Sequence, residues 1–214
     1  MTNNVVDDYG WDNADAPNSC GYIGKSIIEF IKSENPKRVA DLGSGNGQLC
    51  KLIKESINAH VVGIEYDRKG VEISKKSYPD IPFYNFSVQD KVDDLMALEK
   101  ECFDIVVSTE VIEHLFSPQY LPIYAHNILN KNGKLIITTP YHGYLKNLVL
   151  SILNKWDGHH TALWEGGHIK FWSKKTLSTL LYENGFEVDK FYGVGRFPFL
   201  WKSMVLVCTK VSDN

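Results

Sequence analysis

Between Arg38 and Val207, short β-branched apolar runs alternate with longer stretches whose apolar positions recur every three or four residues. Such alternation builds a parallel sheet covered by helices on both faces. The runs predict strands at 38–42, 61–65, 83–88, 103–108 and 134–139, most of them apolar at nearly every position, as strands buried on both sides are. Helical spacing fills the intervals at 47–56, 68–77, roughly 91–100 and 118–129. Upstream, 22–32 reads as a helix leading through Pro36 into the first strand. Downstream, Ser173 reads as the N-cap of a helix over 174–184 that stops at Gly185, and strands at 187–192 and 203–209 complete the pattern. The expected fold class is α/β, a doubly wound, mostly parallel seven-stranded sheet with helices on both faces.

One segment breaks the rhythm. More than about thirty residues separate the fifth strand from the 174–184 helix, far beyond the few that join elements of a compact α/β unit. Within it Leu145, Leu148, Val149, Ile152, Leu153 and Trp156 fall on one helical face, with Lys146, Asn147, Asn154 and Lys155 on the other. The expected arrangement is a lid helix packing its apolar face on the core. The alternative is an interfacial helix, 145–156, that touches a membrane or a lipidic substrate.

Composition narrows the class further. A chain of 214 residues is enough for one core of ordinary size, which makes 1–214 a single domain. It divides into an N-terminal cover and helix (1–35), a half built on the first five strands (36–140), the lid (141–173) and a C-terminal helix and strands (174–214). A net charge of −3 provides no global field for nucleic acid or an anionic membrane, so a small-molecule partner is expected. The four cysteines lack C-x-x-C spacing, and the first residues lack the basic start and apolar stretch of a signal peptide, so a cytoplasmic protein with reduced thiols is expected. The sequence leaves the oligomeric state unread.

The strongest local signal is Val39-Ala40-Asp41-Leu42-Gly43-Ser44-Gly45-Asn46-Gly47-Gln48, a strand running into glycines and then a helix. Glycines there let the backbone turn tightly and approach a ligand with no Cβ in the way. The second strand ends at Glu65, about twenty residues on, where a carboxylate can accept hydrogen bonds from a ribose diol. Dinucleotide folds space their glycines G-x-G-x-x-G to meet pyrophosphate, whereas this loop is G-x-G-x-G and follows Asp41, a carboxylate that repels phosphate and suits an ammonium. That argues against a nicotinamide-dependent oxidoreductase.

The combination resembles the first motif of the class I S-adenosylmethionine-dependent methyltransferases, over nearly the whole span from Arg38 to Val207. The resemblance implies the Rossmann-like fold of that family, with an antiparallel last strand. It implies that Asp41, Gly43, Ser44, Gly45 and Gly47 hold the amino-acid end of S-adenosylmethionine, and that Glu65 holds the ribose. By the same resemblance Tyr66 and Asp67, and Val88, Gln89 and Asp90 after the third strand, flank the adenine, with Thr109 at the end of the fourth strand. The product would be S-adenosylhomocysteine. The N-terminal stretch with Tyr9, Trp11 and 19–22 is expected to fold over this site.

After the fourth strand comes Thr109-Glu110-Val111-Ile112-Glu113-His114. A helical turn beginning there would put Glu110, Glu113 and His114 on one face. Two carboxylates so close repel unless a proton or cation lies between them. Oxygen-rich ligation with an imidazole suits Mg²⁺ or Mn²⁺ better than structural zinc. His168 in the lid is a candidate fourth ligand. The E-x-x-E-H, a T-P after the fifth strand and H-x-K-F before the last helix resemble two families, the ubiquinone-biosynthesis O-methyltransferases and the small-RNA 3′-terminal 2′-O-methyltransferases. The resemblance implies Glu110, Glu113, His114 and His168 as catalytic or metal-holding residues. Without a metal, His168 or His114 would be a general base.

Trp11, Tyr141, His142 and Trp164 are candidate acceptor contacts, the last three in or beside the aromatic- and histidine-rich connection. The acidic balance and the absence of a Lys/Arg cluster favour a small phenolic or lipidic hydroxyl acceptor over RNA ribose. A cofactor-binding module without chemistry is the remaining class, and it would have little reason to gather two carboxylates and a histidine beside the cofactor.

Overall fold

The computed structural model describes residues 11, 18–160, 163 and 167–211. Its strands are β1 (Arg38–Leu42), β2 (His60–Glu65), β3 (Phe83–Asn85), β4 (Phe103–Thr109), β5 (Leu129–Pro140), β6 (Phe186–Val194) and β7 (Ser203–Lys210). They form one seven-stranded sheet in the order β3-β2-β1-β4-β5-β7-β6. β7 runs antiparallel to both of its neighbours and the other pairings are parallel. The helices are α1 (Asn18–Glu34), α2 (Gln48–Ser56), α3 (Arg68–Ser77), α4 (Val92–Glu99), α5 (Tyr120–Ile128), α6 (Tyr144–Ile152), α7 (Trp156–His160) and α8 (Lys174–Glu183).

Strand alternation divides the apolar residues between two cores. On β7, Met204, Leu206 and Cys208 join Leu95, Tyr124, Ile128, Leu177 and Leu181 of α4, α5 and α8 on one face. Val205 and Val207 join Ile23, Ile27, Leu49, Ile53 and Val71 of α1, α2 and α3 on the other. Burial on both faces is why these strands read as continuous apolar runs. Ser173 caps α8 through a capping box with Thr176, and Gly185 ends it in the left-handed conformation that a side chain resists.

Two expectations need correcting. The third strand stops at Asn85 instead of 88, because the Asn85 side-chain amide donates to the Glu65 and Tyr66 carbonyls, and Asp90 closes a turn onto the Ser87 N–H. The 145–156 segment is two helices, because Asn154 takes a left-handed φ of 49° and the Lys155 N–H folds back to the Leu150 carbonyl. Its apolar face does not pack on the core. Leu145, Leu148, Ile152 and Leu153 are exposed, while Lys146 is the buried residue of α6. Among the described residues no helix is long and apolar enough to cross a membrane.

Burial makes a direct prediction. Leu206 is fully buried, so Leu206→Ala is expected to cost about 2–5 kcal/mol in chemical denaturation. Ile152→Ala is expected to cost at most about 0.5 kcal/mol, and equal losses at the two positions would contradict the outward-facing α6.

Candidate active site

The parallel strands deliver β1, β2 and β4 to one edge, the C-terminal one, where open α/β sheets bind ligands. The loop after β1 is held from below by the Ile64 carbonyl, which accepts from the Gly43 and Ser44 N–H groups at 2.8 and 3.1 Å. Gly43, Gly45 and Gly47 all have positive φ, and a Cβ on Gly45 would run into the Trp11 ring. Glycine is therefore required by both conformation and contact. Trp11, expected at the acceptor, instead lies against Gly45 and Gly70 on the loop side.

Glu65 is buried beside this loop. Its Oε2 accepts from the Gly45 N–H at 2.7 Å and its Oε1 from the Asp67 N–H at 2.8 Å. Its carboxylate thus faces the loop, anchored by backbone amides, as an acceptor for a hydroxyl would be. Burial raises the Glu65 pKa against the pull of these amides. Asp67, expected beside the adenine, also caps α3, its side chain accepting from the Lys69 and Gly70 N–H groups. Tyr66 is partly exposed, and the Asn85 amide ties the 65–66 backbone to the turn that carries Val88, Gln89 and Asp90. Asp41 sits under the loop with Oδ2 accepting from the Cys50 thiol at 3.5 Å and Oδ1 without a hydrogen-bond partner. Burial pushes its carboxyl up to about 7.

The acceptor side is built on the turn after β4. Here the expected helical face does not form. Glu110 takes a left-handed φ of 54°, because its N–H is still tied to Thr138 on β5, and a short 3₁₀ turn follows at Ile112–His114. Glu113, His114 and His168 therefore converge without Glu110, with ligating atoms within 4.8 Å of one another. The Glu113 carbonyl accepts from the Ile169 and Lys170 N–H groups at 3.0 Å, which docks the 167–170 segment and brings the His168 ring within 5.1 Å of His114. The His114 Nδ1 faces the Gly167 carbonyl at 3.3 Å, an acceptor only, so Nδ1 donates and Nε2 is turned towards Glu113 Oε1 at 3.9 Å. Thr139 donates to Glu113 Oε2 at 3.0 Å, while Glu113 Oε1 and His168 Nδ1 are buried without a hydrogen-bond partner. Burial, then the Glu110 charge, raises the Glu113 pKa well above the carboxylate range, and burial beside His114 lowers His168 to about 4.

Glu110 faces a second group of residues. Its Oε1 accepts from Thr138 at 2.8 Å and its Oε2 from Ser203 at 3.1 Å, and burial pushes it up to about 7 against those bonds and the Lys146 charge. Tyr141 packs on Trp201, and His142 lies among His159, His160 and Phe171. Thr109 ends β4 opposite Thr138. Trp164 lies outside the described residues. The sequence reading missed Ser203 and Lys146, which carry no motif, and it used Thr139 only as part of the T-P after the fifth strand without seeing that its hydroxyl meets Glu113.

The sheet order, the glycine loop and the acid after β2 define a class I S-adenosylmethionine-dependent methyltransferase. The family described as "Methyltransferase domain" matches residues 21–190, and the chain belongs to it. Among curated proteins it is similar to the mitochondrial ubiquinone biosynthesis O-methyltransferase of Rattus norvegicus, 30% identical over 83% of this chain and 54% of that one. It is 27% identical to the ubiquinone biosynthesis O-methyltransferase of Pelagibacter ubique over 81% of this chain and 73% of the other. The chain spans about half the length of the rat relative. Among solved structures, magnesium protoporphyrin IX methyltransferase from Synechocystis PCC 6803 with bound SAH superposes with a TM-score of 0.66 at 16% identity, covering 87% of this chain and 81% of that one. The methyltransferase domain of bacterial-CtHen1-CN superposes at 0.63 with 22% identity, covering 87% and 96%. S-adenosylmethionine is the cofactor.

Asp41 makes a pH prediction. Its carboxyl moves from 3.8 to about 7 on folding, so the native state holds the proton more tightly than the unfolded chain. The resulting stabilisation is fully present below about pH 4 and is lost as the pH rises through about 7. Calorimetry without cofactor between about pH 5 and 8 should show the wild-type melting temperature falling relative to that of Asp41→Asn. Parallel curves would remove the assignment.

Proposed function

We propose that the protein transfers the methyl group of S-adenosylmethionine to a hydroxyl of a small phenolic, quinone-like acceptor. The observation that carries this reading is the cluster of buried Glu113 with half-buried His114 and His168 at the strand edge, in which Glu113 Oε1 and His168 Nδ1 have no hydrogen-bond partner. The similarity to ubiquinone biosynthesis O-methyltransferases supports the acceptor class. Methyl transfer requires the hydroxyl oxygen to lie in line behind the sulfonium methyl and to lose its proton, and positioning supplies much of the acceleration. His168 is kept neutral at pH 7 by burial, and its Nδ1 can take that proton. His114 and the 167–170 segment hold the ring in place.

The same cluster fits a divalent ion. One carboxylate and two imidazoles with mutually close ligating atoms, two of them without hydrogen-bond partners, are donors of the kind that Mn²⁺ or Mg²⁺ accepts. Such an ion, when bound, would lower the pKa of the acceptor hydroxyl. Glu110 is not part of that donor set. In this proposal residues 1–214 work as one methyltransferase unit with 141–173 as its acceptor lid.

With catechol as probe, production of S-adenosylhomocysteine is expected. His168→Ala should cut kcat/KM about 100-fold or more while cofactor affinity holds, and wild-type kinetics in that variant would overturn its role. Chelation followed by Mn²⁺ add-back separates the two modes. Loss and recovery of turnover support the ion, whereas undiminished turnover in chelator assigns the proton to His168 alone.

The exposed face of α6 supports a lipidic acceptor or a peripheral membrane contact. Tyr144, Leu145, Leu148, Ile152 and Leu153 point outward, and Phe197 and Phe199 of the β6–β7 loop are exposed as well. Vesicle flotation should recover the wild type with lipid and lose Leu148→Asp/Ile152→Asp. Equal recovery of both would sink the contact.

A further inference from the structure

The lid helix α6 sits opposite to its amphipathic pattern. Lys146 is 5% exposed, whereas Tyr144 is 83% and Ile152 72% exposed. Apolar burial would roll the helix the other way, so its seating must come from something else. The Lys146 Nζ donates to the Lys202 carbonyl at 3.2 Å, at the junction where the Tyr141 N–H also bonds Lys202. Burial lowers the Lys146 pKa to about 8, Arg196 pushes the same way and the Glu110 charge opposes them, while the Lys146 charge in turn acts on Glu110. His142 and His159 are held neutral by burial, so neither adds a competing positive charge near neutral pH.

Glu110 stands on a left-handed backbone with its carboxylate in the bonds from Thr138 and from Ser203, the residue next to Lys202, and its charge still reaches Glu113. Ser203 Oγ also lies 3.3 Å from the Tyr22 hydroxyl. The network therefore links α1, β5, β7 and the turn after β4, and the Lys146 ammonium of α6 meets it at the neighbouring Lys202 carbonyl.

We propose that Lys146 is a positioning residue, a buried electrostatic latch that seats α6 over the acceptor side against Glu110 and the Lys202 carbonyl, so that Glu110 serves the lid and not the cation cluster. Lys146 touches no reacting atom in this scheme. It fixes the face of the lid, and through it the shape of the acceptor entrance. The inference uses the proposed methyl transfer only to name that side as the acceptor side.

The bland alternative is a lysine that is merely tolerated, and the two readings predict opposite results. Replacing a merely tolerated buried charge by an apolar side chain of similar volume is commonly neutral or stabilising. The test is hydrogen exchange of the 144–152 amides in the full chain, compared among wild type, Lys146→Met, Lys146→Arg and Glu110→Gln. The latch predicts exchange about tenfold or more faster in Lys146→Met, near-wild-type exchange in Lys146→Arg, a matching increase in Glu110→Gln, and no further increase in the double variant. Unchanged or slower exchange in Lys146→Met would overturn it, as would additive effects of Lys146→Met and Glu110→Gln. Should Lys146→Met not fold, Lys146→Gln, which keeps a donor and loses the charge, is read in the same way. With catechol and S-adenosylmethionine, Lys146→Met should raise KM about tenfold and change kcat by less than about threefold. If catechol is not turned over by the wild type, the proposed acceptor class fails and the exchange measurement still decides the latch. A Mn²⁺ affinity unaltered in Glu110→Gln supports the division of labour, and a loss matching that of His168→Ala would overturn it.

Discussion

Carboxyl groups buried at the C-terminal edge of the parallel strands are the constraint on which the site depends. Asp41, Glu65 and Glu113 are buried there, and burial raises all three pKa values. A carboxylate withdrawn from water is costly unless something charged or hydrogen-bonding meets it. The apolar packing on both faces of β1, β2 and β4 is what makes this cost tolerable, because the strands hold their ends in place whether or not a ligand is present. In the proposed function a sulfonium cofactor with its own ammonium would meet the carboxyls on the loop side, and a proton or a divalent ion would meet Glu113.

The lid follows the same electrostatics by another route. Its helix is turned by one buried ammonium, which leaves an apolar face to the outside. A single side chain thus connects polarity inside the site to greasiness at its mouth. That coupling would suit the proposed acceptor, apolar in body while its reaction needs charge.

Much of the fold was legible because burial on both faces writes itself as unbroken apolar runs, and because glycines between a strand and a helix have few other uses. The pairing of Glu113, His114 and His168 was legible for a similar reason, since two of the three are adjacent and the third belongs to a local H-x-K-F. Glu110 was misread because spacing assumes a helix, whereas a hydrogen bond to Thr138 holds residue 110 against β5 in a left-handed conformation. Lys146 was read as solvent-facing for want of any local sign that Glu110 and the Lys202 carbonyl would be waiting beneath it. Asp67 shows a third kind of gap, in which the nearest claim on a carboxylate is the helix it begins.

The place of β7 has a consequence for how the chain comes to be folded. This strand comes last in the order of the chain, yet it lies inside the sheet, between β5 and β6. During synthesis, β1 to β5 can pair as they emerge, but β6 has nowhere to dock until residues 203–210 have left the ribosome. Lys202 and Ser203, at its start, are also the groups that receive Lys146 and steady Glu110. The strands of the cofactor half can therefore pair before the lid has the seat that Lys202 and Ser203 give it.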